Sequence, residues 1–351
     1  MRLSFSFQVN AHYPRWLLLI LVISLCDRPD FIPSGLACAG PPRRAGRPGQ
    51  VAVNSAVNSL FGVAYSEPGQ TAQNAPPPPL EFVGSWGMRG DGPGQLSSPV
   101  ALVADAAGNA YTAEPVSGFV NKFSPAGQPR LSFQDERINL RPTSIAVDEG
   151  GGIYVADGER GSVFIYYPEG KRYRELNTGA AEALRASLRI AVDRAGVIYV
   201  TGPSPFGVRK YNHRGQLLGA WRMPASKDAA ADEPGGIACG ADGLLYVSEA
   251  RLGIVRAYRG AGELVRTFKP LDAGAVFGGI AVYGKFVIGA DSRNHLLYIW
   301  GIDSGYILRG ELGKWIAGAA PSPQGVAATP AGELLVLDAP RARVLRFRLH
   351  L

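Results

Sequence analysis

Five carboxylates recur at one place in a repeating pattern. Glu114, Asp157, Glu249, Asp291 and Asp338 each close a short apolar stretch: "AYTAE", "IYVAD", "LYVSE", "VIGAD" and "LLVLD". Gly202 interrupts the series in "IYVTG". Carboxylates spaced so regularly could ring a divalent cation, because calcium and magnesium take hard oxygen ligands. They could equally accept backbone N–H bonds in the turns that follow, as Asp does in many turns. Arginines stand two or three residues further on: Arg160, Arg251, Arg293 and Arg341. Opposite charges this close on one loop usually pair locally and contribute little each. As a set they could still present alternating charge to a polar or anionic partner.

Other chemistries find less support. The histidines are His12, His213, His295 and His350. Only His295 falls beside the recurring acids, and a zinc site needs three or four ligands. His295 therefore reads as closing its own hairpin. The Gly-x-Ser-x-Gly nucleophile signature and the Cys-x-x-Cys-His haem motif are both absent. Cys239 lies in the apolar "GIAC" and reads as a small buried hydrophobe. The Gly-rich run from Gly87 to Ser98 has no Lys-Ser/Thr and no helix after it, so it is not a phosphate loop. Arg89-Gly90-Asp91 inside it reads as a chance tripeptide in a turn. Trp86, Trp221, Trp300 and Trp315 read as packing residues rather than a sugar platform.

The elements that must position these residues follow from a repeat. "LVAD" at Leu102, "IAVD" at Ile145 and Ile190, "IACG" at Ile237, "IAVY" at Ile280 and "VAAT" at Val326 are separated by 43, 45, 47, 43 and 46 residues. Each is followed by a Gly-containing turn and a second apolar phrase. A third phrase, such as "GIVRAY", comes next, then a polar turn and a fourth, such as "ELVRTF". Gly 45 and Pro 27 agree with many short strands joined by turns. Four strands per repeat, six times over, predict an all-β, six-bladed β-propeller with four-stranded antiparallel blades. One blade cannot bury both of its faces, whereas a ring of blades buries each against a neighbour. Ala146, Ala191, Ala238 and Ala281 are small enough for a crowded channel wall.

The sixth repeat stops after its third strand, and "LEFVGSW" precedes the first repeat as an unpaired strand. Residues 81–86 are therefore expected to pair with 342–348 and close the ring. Upstream, Arg15 precedes the apolar run Trp16 to Leu25, which is too short to span a bilayer. Residues 1–39 read as a secretory signal, with Ala37-Cys38-Ala39 as a small-x-small cleavage site. A lipoprotein signal at Cys38 or Cys26 is the alternative. Residues 40–79, with "GPPRRAGRPGQ" and "AQNAPPPP", read as a Pro/Gly-rich linker. The propeller is assigned to 80–351. The net charge of +7 is partly in the first 79 residues and does not demand a nucleic-acid partner.

The run "FVGSWGMRGDGPGQLSSPVALVADAAGNAYTAE" resembles an NHL repeat, and Asn294-His295-Leu296 spells the tripeptide that names it. The resemblance extends over 80–351 and is dilute in the fifth and sixth repeats. It implies the propeller fold. It leaves function open, because similar propellers serve as peptide-amidating lyases, sensors, RNA-binding modules or binding platforms. The related gluconolactonase propellers hold a metal in the channel.

The resulting expectation is an exported, monomeric, non-catalytic propeller, periplasmic, at the cell surface or secreted. It would bind a protein, peptide or glycan on its loop face and have no nucleic-acid partner. Membrane association would come only through the signal or a lipid anchor. Its loop face would comprise Glu114, Asp157, Arg160, Glu249, Arg251, Asp291, Arg293, His295, Asp338 and Arg341, shaped by the longer connectors 177–188 and 223–234. No cofactor is expected. The alternative is a metal-dependent hydrolase or lyase with a cation such as calcium in the central channel.

Overall fold

The computed structural model describes residues 79–180, 187–203, 205–224, 233–314, 316 and 320–350. The segment read as a signal and most of the one read as a linker, Trp315, and most of the two long connectors lie outside them. Among the described residues no helix is long and apolar enough to cross a membrane.

Among the described residues, twenty-four strands form six four-stranded antiparallel sheets. Blade 1 runs Ala101–Ala104, Ala110–Ala113, Val120–Phe123 and Pro129–Phe133. Blade 2 runs Pro142–Val147, Ile153–Asp157, Ser162–Tyr166 and Arg172–Asn177. Blade 3 runs Arg189–Val192, Ile198–Gly202, Gly207–Tyr211 and Leu217–Trp221, and blade 4 runs Pro234–Cys239, Leu245–Glu249, Ile254–Arg259 and Glu263–Phe268. Blade 5 runs Phe277–Tyr283, Phe286–Asp291, Leu296–Gly301 and Gly305–Glu311. Blade 6 runs Pro323–Ala328, Glu333–Asp338 and Arg343–Leu349, and takes Leu80–Trp86 as its outer strand. The first strand of every blade is innermost, and the six inner strands neighbour one another in a closed ring.

The closing strand pairs from Leu80↔Leu349 to Trp86↔Val344, with a bulge between Phe82 and Gly84. The expected seam is present, one residue longer at its start. Ala342, expected within the strand, instead sits in the turn before it. Arg348 and His350 both reach Glu81 across the seam, at 3.3 and 3.0 Å. The His350 hydrogen bond is the main cause that holds the Glu81 carboxyl below its ordinary range.

Burial explains the sequence pattern. Second strands are covered on both sides by neighbouring blades, so Ile153–Asp157 and Leu245–Glu249 are buried along their whole length. Outer strands lie at the rim of the ring, so Glu263–Phe268 is exposed or half-buried until its final aromatic. That aromatic then packs onto the third strand of the next blade. Trp86 meets Phe123, Phe133 meets Tyr166, Trp221 meets Tyr258 and Phe268 meets Trp300, with centroids 4.5–6.2 Å apart. The turns of the receiving blades make room for these rings with glycine. A Cβ on Gly127 would lie 2.2 Å from Trp86, and one on Gly262 would lie 2.3 Å from Trp221. Trp86, Trp221 and Trp300 are thus blade packing.

The Asp of the "IAVD" phrase serves the opposite face. In blade 1, Asp105 Oδ1 accepts the Ala107 and Asn109 amides, and the Tyr111 hydroxyl donates to Oδ2. Asp148 with Tyr154 and Asp193 with Tyr199 repeat the clasp, while blade 4 has Gly240 at that position and Asp242, two residues on, accepts from the Tyr246 hydroxyl. Blades 5 and 6 have Tyr283 and Thr329 at the Asp position of the phrase, which is where the repeat was already dilute in sequence.

Candidate functional site

The second strands all end on one face, so the topology brings the five recurring acids to that face. Each is at most 1% exposed. Asp157 Oδ1 accepts the Glu159 and Arg160 amides, and Oδ2 accepts the Arg141 amide. Asp291 Oδ1 accepts the amides of Val276, Arg293 and Asn294. Asp338 accepts the Ser322 amide and contacts Arg341 and Arg343 at 3.1 and 2.8 Å. Glu249 pairs with Arg256, a third-strand neighbour. Glu114 Oε2 accepts the Ser97 and Ser98 amides, while its buried Oε1 has no hydrogen-bond partner among the described residues. Burial is the main cause that pushes the Glu114 carboxyl above its ordinary value, and nearby Asp91 adds to it. Glu114, Asp157, Asp291 and Asp338 each tie their own turn, or the connector entering their blade, to the sheet, and Glu249 braces the third strand through Arg256. The carboxylates point into the structure rather than at a ligand.

The arginines are placed differently. Arg160 and Arg341 contact their own acids, Asp157 and Asp338, at 3.5 and 3.1 Å. Arg251 turns instead to Glu233 at 3.6 Å, with 61% of its side chain exposed. Arg293 is exposed and donates to the Gly274 carbonyl. Four of the five acids are followed by an arginine two or three residues on, but the fold buries the acids and leaves the guanidinium groups nearer the rim. The exposed arginines share this rim with the carboxylates of Glu159 and Glu233, which reach Arg141 and Arg251 at 3.7 and 3.6 Å.

His295 occupies a backbone position, not a ligand position. Its φ is 59°, and the equivalent residues in the other blades are Gly118, Gly161, Gly207, Gly253 and Ala342, all at positive φ. Its Nδ1 lies 2.8 Å from the Pro321 carbonyl, which links the hairpin to the entry of blade 6. His213 sits in the third-to-fourth turn of blade 3. Among the described residues no group of three or more His, Cys, Asp or Glu could hold a metal ion.

The inner strands enclose a channel of about 270 Å³. Its wall is mostly Ala, Val, Ile and Gly, including Ala146, Ala191, Ala238 and Ala281 as expected, and it carries no carboxylate or histidine. A calcium or magnesium ion there would lack the carboxylate oxygens it prefers. The channel residues present do not fit the cation of the alternative reading. Cys239 lines the wall, and burial drives its thiol far above the ordinary range, so it is not a thiolate.

One wall residue departs from the others. The position before the "IAVD" phrase is Ala101, Ser144, Gly236, Gly279 and Gly325 in five blades and Arg189 in blade 3. This position faces the next inner strand. Ser144 Oγ accepts the Ile190 amide, and a Cβ on Gly279 would lie 2.9 Å from Gly325 Cα. Arg189 is too long for that gap and sends its head to the channel mouth. There Nε donates to the Gly235 carbonyl at 2.9 Å and Nη1 to the Leu188 carbonyl at 3.0 Å. Burial lowers its pKa from the ordinary Arg value, and Glu233 opposes the shift. Arg189 is not legible from the repeat, because it is a departure from what recurs. The available signal was the one charged residue in an otherwise small-residue column.

Comparisons agree with this architecture. The NHL repeat family model matches residues 139–166, the entry and first three strands of blade 2. No curated protein matches the chain. Among solved structures it is similar to a streptogramin B lyase, at 12% identity and a TM-score of 0.59, over 77% of this chain and 99% of that one. It is similar to the virginiamycin B lyase of Staphylococcus aureus, at 10% identity and a TM-score of 0.57, over 77% and 99%. It is also similar to the Cps50 (Swd1) β-propeller domain of Myceliophteria thermophila, at 14% identity and a TM-score of 0.51, over 75% and 86%. Identities this low speak for the fold and not for an activity. With six four-stranded blades and one repeat matched on blade 2, the chain is a six-bladed β-propeller that carries an NHL repeat at residues 139–166.

Proposed function

We propose that this propeller is a non-catalytic binding platform, and that its second-to-third-strand face takes an acidic segment of a protein partner. The observation that carries this reading is the segregation of charge on that face. Five acids are buried in turns while Arg160, Arg251, Arg293 and Arg341 stand at the rim. Guanidinium groups are suited to carboxylates, which they bind with paired N–H donors. Complementary charge of this kind sets encounter rate and partner choice. The packing roles of Trp86, Trp221 and Trp300 favour a protein over a glycan, because those rings are not offered as a stacking platform. On the reading of residues 1–39 as a secretory signal, the partner is met outside the cytoplasm.

The test is titration of the full chain with an acetylated, amidated hexaglutamate peptide, read by calorimetry at two salt concentrations. Binding is expected to weaken as salt rises. Arg251→Ala combined with Arg293→Ala should weaken it about tenfold without changing the fold. Absence of binding at low salt, or indifference to both substitutions, would sink the reading.

A further inference from the structure

We propose that the channel mouth is a carboxylate-binding site, with the Arg189 guanidinium as its anchor, and that it receives one acidic side chain of the segment lying across the face. This rests on the reading of that face as a docking surface for an acidic segment.

The argument begins with the donors. Arg189 has five N–H groups, and the hydrogen bonds to Gly235 and Leu188 use two of them. The Leu188 carbonyl also accepts from Thr143 Oγ1 at 2.9 Å, so the guanidinium is held by a network that spans three inner strands. Both of its acceptors are neutral carbonyls. No carboxylate lies within ion-pair distance of Arg189 among the described residues. The one acid that acts on it, Glu233, is engaged by Ser187 Oγ at 2.7 Å and by Arg251 at 3.6 Å. The guanidinium is thus fixed in place and half-buried, with no counter-charge in contact among the described residues. An uncompensated buried charge is costly, and an anion that arrives to pair with it recovers that cost.

Geometry selects the class of anion. The head group is oriented before any ligand arrives, with its remaining donors in a planar fork that matches a carboxylate. A single positive charge in a channel lined by no other charged side chain balances a monoanion, whereas a dianionic phosphate would leave net negative charge in the same wall. Gln324 of blade 6 stands exposed on the channel wall, three blades around the ring from Arg189. The mouth therefore carries a cationic donor on one side and a neutral carboxamide on the other.

The experiment uses the full chain labelled with ¹⁵N at arginine. Propionate, propionamide and inorganic phosphate are titrated separately while the Arg Nε–H resonances are followed. The expected result is a saturable shift with propionate of the one resonance that is missing from the Arg189→Met spectrum. Propionamide and phosphate should produce no such shift at the same concentrations. Arg189→Lys keeps the charge and loses the fork, and should weaken propionate about tenfold. It also serves if Arg189→Met fails to fold. No saturable shift with propionate overturns the site, and an equal response to phosphate overturns its chemistry. Hexaglutamate separates this inference from the reading beneath it. If the peptide binds wild type and Arg189→Met equally, the face stands and the anchor falls. If the peptide does not bind but propionate does, the site stands and the docking face falls.

Discussion

Two sets of residues share one face of the propeller and follow opposite rules. The second-strand acids are nearly uniform around the ring, fully buried, and occupied with backbone amides and neighbouring arginines. The residues that precede the "IAVD" phrase on the inner strands are uneven. They are glycine in blades 4, 5 and 6, and Ala101, Ser144 and Arg189 in blades 1, 2 and 3. What recurs in every blade serves what every blade must do, which is to tie its turns and seal against a neighbour. What occurs once has no such duty. In a repeat protein the departures from the repeat are the better guide to a site, provided the structure puts them where a ligand can reach.

The contrast breaks most visibly if a recurring acid is removed. Asp157→Ala leaves three backbone amides without their acceptor and should cost about 3 kcal/mol in urea unfolding. Its effect on propionate binding by the folded fraction should be nil; a binding loss without a stability loss would reverse the roles assigned here. On the glycine arc, Gly279→Ala forces a methyl to within 2.9 Å of Gly325 Cα and should cost about 2 kcal/mol. Gly325→Ala meets nothing nearer than 3.5 Å and should stay within about 1 kcal/mol of wild type. Equal melting shifts for the two would show that the inner strands are not in such close approach.

The smallest effect sharpens the comparison from within the acidic set. Glu114 is the member whose carboxyl is raised, chiefly by burial. An acid with a raised folded-state pKa favours the fold while it is protonated. That contribution is full below the unfolded-state value and is lost as pH rises through the folded-state value. Glu114→Gln should therefore gain on wild type as pH rises from about 4 to about 8, ending equal or slightly more stable. A gap that widens in the other direction would mean that the ionised Glu114 is stabilised by the fold.

Much of this was legible in the sequence because a propeller blade is a local object. Strands of one blade lie next to one another in the chain, so the spacing of "IAVD", "YVAD" and the later phrases revealed the sheets. The missing fourth strand of the last repeat pointed to Leu80–Trp86 as the closing element. Turn glycines were also readable, and His295 becomes intelligible beside them as a non-glycine residue in a left-handed turn position. The destination of the charges was not readable. Glu249 and Arg251 are two residues apart, yet Glu249 pairs with Arg256 and Arg251 with Glu233.

The sequence by itself determined the number of blades, their strand order and the seam, because hydrophobic period and turn chemistry act over a few residues. Only the tertiary structure decided which charges face water and where the Arg189 head group lies. Those depend on the neighbouring blade, about 45 residues away, closing over one side of each strand and leaving the mouth of the channel open.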